Sequence, residues 1–78
     1  KCYWKDIQSD SGWNSLNHIK KFQPATCITM GWLLSTHKGN YRFCSDVNFN
    51  EDGTINEGGN STVIPKTNIL KLKEIKNI

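Results

Sequence analysis

Residues 25–34 read Ala-Thr-Cys-Ile-Thr-Met-Gly-Trp-Leu-Leu and form the most apolar, most strand-like stretch of the chain. In a strand, successive side chains point to opposite faces. One predicted face carries Ile28, Met30, Trp32 and Leu34, and the other carries Cys27, Thr29, Gly31 and Leu33. Both faces are largely apolar, so the sequence predicts a central strand covered on both sides.

Gly31 interrupts this predicted strand near its middle. Glycine weakens a strand and usually marks a bulge or the close approach of another backbone. We therefore expect the strand to bend at Gly31, as a strand of a small barrel does.

A short amphipathic helix is predicted before the central strand, over residues 13–22. Its apolar stripe comes from residues three positions apart, Trp13, Leu16 and Ile19. Asp10 or Ser11, in a turn-forming segment, is placed to cap the first turn. Pro24 disfavours a helical conformation at Gln23 and so ends the helix.

Extended patterns on either side predict further strands, which we place at residues 1–7, Tyr41–Phe49, Thr62–Pro65 and Ile69–Ile75. The first is expected at a sheet edge. The short polar connection Thr36–Asn40 predicts an antiparallel hairpin between the central strand and the next one. In the last strand, Leu70 and Leu72 are expected to face inward.

These elements predict a mainly β (α+β) fold, a four- or five-stranded antiparallel barrel with one short N-terminal helix. Residues 1–78 are expected to form one domain. At 78 residues the core is thin, because so short a chain hides only about 60% of its surface on folding. Apolar residues on both faces of the central strand therefore predict a homo-oligomer.

Charge and cysteine content narrow the class of protein. A net charge of +3 permits an anionic partner without requiring one. The chain has three cysteines, Cys2, Cys27 and Cys44. Three cysteines cannot all pair in disulfides, and their spacing is not that of a zinc site, so we expect free thiols in a reducing cytoplasm. Cys27 and Cys44 lie in strand-like runs and are interpreted as small apolar residues. No membrane span or signal segment is predicted.

Residues 48–55 resemble the spacing of a calcium loop, because Asn48, Asn50 and Asp52 alternate before Gly53. The twelfth position, Gly59, lacks the bidentate glutamate of such a loop. Asp-Gly is also an ordinary hairpin signal, so we interpret the segment as a turn. No metal or cofactor is predicted.

The residues also contain no recognisable catalytic motif, such as a phosphate loop, a nucleophile elbow or a paired-histidine metal motif. Asp46, Glu51 and Asp52 lie on or beside a polar loop, where solvation is the ordinary state of a carboxylate. The sequence therefore predicts a protein that binds without catalysing a reaction.

Aromatic and basic side chains supply the candidate binding residues. Trp4 and Trp13 flank a polar turn and could stack on a base, while Lys38 and Arg42 could meet phosphate. His18 adjoins the helix stripe and is added to this set. The alternatives are that Trp13 packs the helix onto the sheet and that His18 is an ordinary surface residue.

A second basic group lies near the C-terminus, at Lys66, Lys71, Lys73 and Lys76. Together with Lys38 and Arg42 it could form a patch for phosphates or for an acidic protein surface. The alternative is edge-strand protection, because lysine on an exposed edge discourages pairing with other chains.

The strand pattern, with Val63–Ile69 as a tight turn entering the last strand, resembles small barrels of the Src-homology or Sm type. Trp4-Lys5-Asp6-Ile7, Gly12-Trp13, Gly31-Trp32-Leu33 and Ile64-Pro65-Lys66 are similar to segments of small uncharacterised bacteriophage proteins. The resemblance implies a phage accessory or anti-defence protein in the host cytoplasm. Such a protein would sequester a nucleotide-type ligand or block a host protein; the alternative is a nucleic-acid-binding Sm-like module.

Overall fold

A computed structural model describes residues 1–75 of the chain. More than half of them lie in strands, which confirms a mainly β fold. The strands are β1 (Cys2–Asp6), β2 (Ala25–Thr29), β3 (Trp32–Ser35), β4 (Asn40–Phe49), β5 (Ile55–Pro65) and β6 (Ile69–Leu72). A helix, α1, spans Leu16–Lys20, and 3₁₀ turns span His37–Gly39 and Lys66–Asn68.

The strands form two antiparallel three-stranded sheets, which do not close into the predicted barrel. Sheet A has the order β2-β1-β6, and sheet B has the order β3-β4-β5. The predicted central strand is split at Met30–Gly31, so that β2 belongs to sheet A and β3 to sheet B. A barrel needs one continuous ladder around its circumference, and this split breaks the ladder.

The backbone of β4 passes very close to Gly31. A Cβ atom on Gly31 would lie 2.3 Å from the carbonyl oxygen of Cys44, a distance that no ordinary side chain tolerates. Glycine is therefore required where β3 leaves the bend and pairs with β4. The predicted close approach at Gly31 is confirmed, as is the antiparallel hairpin of β3 and β4.

The core lies where the two sheets meet. Cys2 of β1, Phe43 of β4 and Ile64 of β5 are buried together, and three half-buried side chains pack against them, Trp4, Tyr41 and Ile69. Side chains predicted to lie inside are instead exposed, namely Trp32, Leu70 and Leu72. Among residues 1–75, no second layer covers these three side chains.

The helix is shorter than predicted. Ser15, rather than Asp10 or Ser11, caps α1, and its hydroxyl accepts a hydrogen bond from the main-chain nitrogen of His18 at 3.2 Å. The Asp10 carboxylate instead accepts from the Gly12 nitrogen at 2.8 Å and closes a local turn. Trp13 therefore lies outside the helix.

Two further predictions about the strands are wrong. The N-terminal strand is the central strand of sheet A, because it pairs with both β2 and β6, and not an edge strand. Strand β5 begins at Ile55, so most of the polar segment predicted as a loop extends the β4–β5 hairpin. A hydrogen bond of 3.0 Å from the Asn68 amide to the Lys5 carbonyl ties the turn before β6 to β1.

Candidate anion-binding face

The outer face of sheet A gathers lysines around one tyrosine. On β1 and the residue before it, Lys1, Tyr3 and Lys5 point to the same side, because alternate residues of a strand share a face. Lys71 lies directly opposite Tyr3 in the β1–β6 ladder. Lys73 lies opposite Lys1, since their main chains exchange two hydrogen bonds of 2.8 Å. We call these five residues the lysine face.

The side chains of the lysine face interact with neutral groups. The ammonium groups of Lys1 and Lys71 lie 5.6 and 5.9 Å from the centre of the Tyr3 ring. The Lys5 ammonium donates to the Thr26 hydroxyl at 2.8 Å. Ile28 is the β2 residue opposite Tyr3. No carboxylate occupies these paired positions, so the four positive charges remain available to an anion.

Cation–π contacts also position two lysine side chains of the lysine face. An ammonium group within about 6 Å of a ring centre is attracted by the negative face of the ring. Lys1 and Lys71 are thereby drawn over Tyr3 on one side of the sheet. An aromatic ring with ammonium groups beside it is the combination that binds a base and its phosphate.

An apolar groove of about 750 Å³ lies next to the lysine face. Its apolar walls are Met30, Trp32, Leu33, Phe43, Leu72 and Ile75, with Lys1, Lys73 and Glu74 also lining it. The groove therefore lies at the end of sheet A where Cys2 pairs with Thr29 and Leu72. Its volume is within the range of about 300–1,000 Å³ usual for ligand sites.

The structure places the five residues predicted to bind a ligand on several different elements. Trp4 is half-buried against the core, and its indole nitrogen donates to the Thr29 hydroxyl at 3.0 Å. Trp13 is fully exposed, and His18 lies on α1, where its ring is 6.2 Å from that of Phe22. These two belong to the β1–β2 connection, far along the chain from Lys38 and Arg42.

Lys38 and Arg42 lie near each other at the β3–β4 connection. Lys38 adopts a left-handed conformation with φ of 53° in the 3₁₀ turn. The Arg42 guanidinium makes two long contacts, 3.4 Å to the Ser35 hydroxyl and 3.5 Å to the Asn40 carbonyl. Both side chains are exposed. Arg42 is on β4 of sheet B and Lys38 is in the turn that joins β3 to β4, whereas the lysine face is on sheet A.

Sequence reasoning identified part of the lysine face and missed the rest. Lys71 and Lys73 belong to the predicted C-terminal basic group, whereas Lys66 lies in the 3₁₀ turn before β6 and Lys76 lies outside the described residues. The missed signal is the alternation of Lys1, Tyr3 and Lys5. It becomes informative only when β1 is known to pair with β6.

The cysteines are free thiols, as predicted. Cys2 and Cys44 are buried and Cys27 is half-buried. Burial raises the pKa of the Cys2 thiol above its ordinary value, and the positive charge at the chain start lowers it by less. Cys2 is therefore a protonated packing residue, since a thiol becomes reactive as the thiolate.

The segment with calcium-like spacing forms the β4–β5 hairpin turn. The Asp52 carboxylate accepts hydrogen bonds from the Thr54 nitrogen and hydroxyl at 2.9 and 2.5 Å. The Asn48 amide oxygen accepts from the Glu57 nitrogen at 2.9 Å. Oxygens that a calcium loop would aim at an ion are thus used within the turn. Within residues 1–75, His, Cys, Asp and Glu form no group of three or more arranged to hold a metal.

Among residues 1–75, no helix is long and apolar enough to span a bilayer. Comparison with known proteins adds no relative, since no family model, curated protein or solved structure matches the chain.

Proposed function

We propose that this protein is a non-catalytic binding protein and that its lysine face binds a strand of nucleic acid. The observation that carries the proposal is the grouping of four lysines around Tyr3 on one open side of sheet A. Lysines neutralise the phosphates of such a ligand, and an aromatic ring stacks on its bases.

The open form of the lysine face supports a strand over a free nucleotide. A small ligand binds tightly where a concave site covers most of its surface. The lysine face is the outer side of a three-stranded sheet and has no walls. A strand lying across it gains repeated phosphate and stacking contacts without being enclosed.

A free nucleotide is the second candidate, and the apolar groove is the observation that favours it. Trp32 offers a ring for the base, and Lys1 and Lys73 lie at the same groove for the phosphates. This arrangement keeps the predicted class of ligand but uses other residues, Trp32, Lys1 and Lys73, which line the groove.

The resemblance to bacteriophage proteins extends the proposal to a biological setting. Under it, the protein acts in the cytoplasm of an infected host as an accessory or anti-defence factor. Its target is then a nucleic acid or nucleotide of the infected cell. Obstruction of a host protein is the other action that this resemblance implies.

Salt dependence tests the strand proposal. We expect a fluorescently labelled single strand of about 16 nucleotides to bind with an affinity that falls steeply as salt rises, with a log–log slope near −3 if four lysines meet phosphates. Replacing Lys71 and Lys73 with glutamine should weaken binding and bring the slope closer to zero by about 1.4. Fluorescence anisotropy at several salt concentrations measures both quantities.

Lys66→Gln is the matched control, because Lys66 is a nearby lysine outside the lysine face. It should bind like the parent protein. Equal affinities for the parent and the Lys71/Lys73 variant would refute the strand proposal. Tight 1:1 binding of a nucleotide, lost in Trp32→Ala and retained in Lys71→Gln, would establish the second candidate instead.

A further inference from the structure

The connection between β1 and β2 is an apolar segment that is not packed on its own chain. Every residue from Ile7 to Pro24 is exposed, and we call this segment the arm. It includes five large apolar side chains, Ile7, Trp13, Leu16, Ile19 and Phe22. An exposed run of this kind is unusual for a lone soluble domain, which rarely leaves a large contiguous apolar patch uncovered.

Helix α1 gives the arm an ordered apolar stripe. Leu16 and Ile19 lie three positions apart on one side of α1, and they are 72% and 55% exposed. No residue of α1 is buried. A single five-residue helix has too few hydrogen bonds to be stable by itself, so packing of its apolar side against another surface must stabilise it.

The apolar groove is the complementary feature, and it lies away from the arm's attachment. The arm leaves sheet A where Asp6 pairs with Ala25, whereas the groove lies where Cys2 pairs with Thr29. These two ends of the β1–β2 ladder are about 14 Å apart at the usual rise per strand residue. In this structure the arm does not cover the groove of its own chain, since every residue from Ile7 to Pro24 is exposed and none of them lines the groove.

We propose that the arm of one copy fills the apolar groove of a second copy. The apolar stripe of α1 packs against Met30, Trp32 and Ile75, which all line the groove with partly exposed side chains. Each copy offers one arm and one groove. In a pair related by two-fold symmetry, each arm therefore fills the groove of the other copy. No arm or groove is then left to bind a third copy.

The small core favours a second copy as the occupant. Four apolar residues of the described chain are fully buried, Cys2, Phe43, Cys44 and Ile64. A domain of this size needs additional burial to be stable. A second copy supplies this burial wherever the protein is made, and its arm then lies beside Lys1 and Lys73, which also line the groove. The assembly does not rest on the proposed binding of nucleic acid.

Light scattering after size exclusion tests the assembly. We expect the parent chain to run at twice its mass of 8.9 kDa. The arm variant Leu16→Asp/Ile19→Asp and the groove variant Met30→Asp/Ile75→Asp should each run as monomers, because each buries charge in the interface. The control Asn17→Asp adds a charge to the polar side of α1 and should remain a dimer.

Mixing separates the proposed contact from general loss of structure. In a mixture of arm and groove variants, an intact arm still meets an intact groove, so heterodimers should form. A parent chain that is monomeric, or dimers that both variants leave intact, would overturn the proposal. Absence of heterodimers from variants that retain the parent's far-ultraviolet circular dichroism would overturn it as well.

Crosslinking identifies which groove the arm fills. A photoreactive benzoylphenylalanine in place of Ile19 is expected to capture groove residues. In a mixture of isotopically labelled and unlabelled chains, crosslinks between the two kinds of chain support the proposal. Crosslinks confined to single chains would show the arm on its own groove, and crosslinks to other surfaces would place it elsewhere; either result would overturn the proposal.

Discussion

At the scale of single residues, the position of Cys44 explains why glycine stands at positions 31 and 58. Its carbonyl oxygen lies where a Cβ of Gly31 would stand, and its sulfur lies 2.8 Å from where a Cβ of Gly58 would stand. Cys44 is 1% exposed. The thiol and backbone of one residue are thus enclosed by neighbouring strands that approach closely because they lack side chains at these points.

Gly31→Ala should destabilise the protein by about 1–3 kcal/mol, because its methyl group meets backbone, which cannot rotate away as a side chain can. Urea unfolding measures the change. Gly59→Ala is the matched control, since a Cβ there meets only the Asp46 Cβ at an ordinary 3.7 Å. Similar midpoints for the two variants would contradict the close approach at Gly31.

Asp52 makes the hairpin turn sensitive to acid. The hydrogen bond from the Thr54 hydroxyl, followed by that from its amide, lowers the pKa of Asp52 below its ordinary value. A lowered pKa in the folded state means that the turn is stabilised above the unfolded pKa and loses this contribution as the pH falls through the folded pKa. The loss is therefore expected below about pH 4.

Nuclear magnetic resonance titration of the Thr54 amide measures this effect. We expect its signal to move as Asp52 protonates, with a midpoint below that of an unstructured aspartate. Asp52→Asn should abolish the transition while leaving other carboxylate titrations in place. A Thr54 signal that is constant through the acid range would show that the Asp52 contact does not form in solution.

At the scale of elements, the β4–β5 hairpin has two unequal halves. Strand β3 covers β4 only from Arg42 to Cys44, and the buried residues of both strands lie in this inner half. The outer half, from Asp46 to Gly59, contains no fully buried residue and is a two-stranded ribbon. A two-stranded ribbon is only marginally stable unless a third strand or another element packs against it.

Hydrogen exchange should distinguish the two halves. We expect the paired amides of Asp46–Phe49 and Ile55–Gly59 to exchange about tenfold faster, or more, than those of Tyr41–Cys44 and Ser61–Ile64, because local opening of the ribbon exposes little apolar surface. Native-state exchange followed residue by residue provides the measurement. Equal protection in both halves would mean that the ribbon is covered by another surface.

At the scale of the whole molecule, the single chain is extended. Its radius of gyration is 16.7 Å, whereas a compact domain of this length has about 11.5 Å. The long hairpin and the separation into two sheets account for the difference. A chain so extended exposes apolar surface that an assembly can bury.

Thermal stability should therefore depend on protein concentration. If folding and assembly are coupled, each tenfold increase in concentration raises the Tm by about 2–4 °C, because association draws chains from the unfolded state. Calorimetry at several concentrations tests this. The arm variant should have a Tm that is lower and independent of concentration. A concentration-independent Tm for the parent chain would argue that one chain folds by itself.

The sequence by itself determined the local features of this protein: most strand positions, the β3–β4 hairpin, the close approach at Gly31 and the turn around Asp52. These depend on residue type, alternation and turn chemistry, which act over a few neighbours. The helix predicted over residues 13–22 is reduced to five residues, Leu16–Lys20, and Ser15 rather than Asp10 or Ser11 caps it.

Only the tertiary structure decided how the strands pair and what lies between them. It divided the predicted central strand between two sheets, left Trp32 and Leu72 exposed, and moved the N-terminal strand to the middle of sheet A. The lysine face depends on the same pairing, because Tyr3 and Lys71 are 68 positions apart in the printed sequence. Alternation defines the faces of a strand, but long-range pairing determines which faces are joined and which are covered.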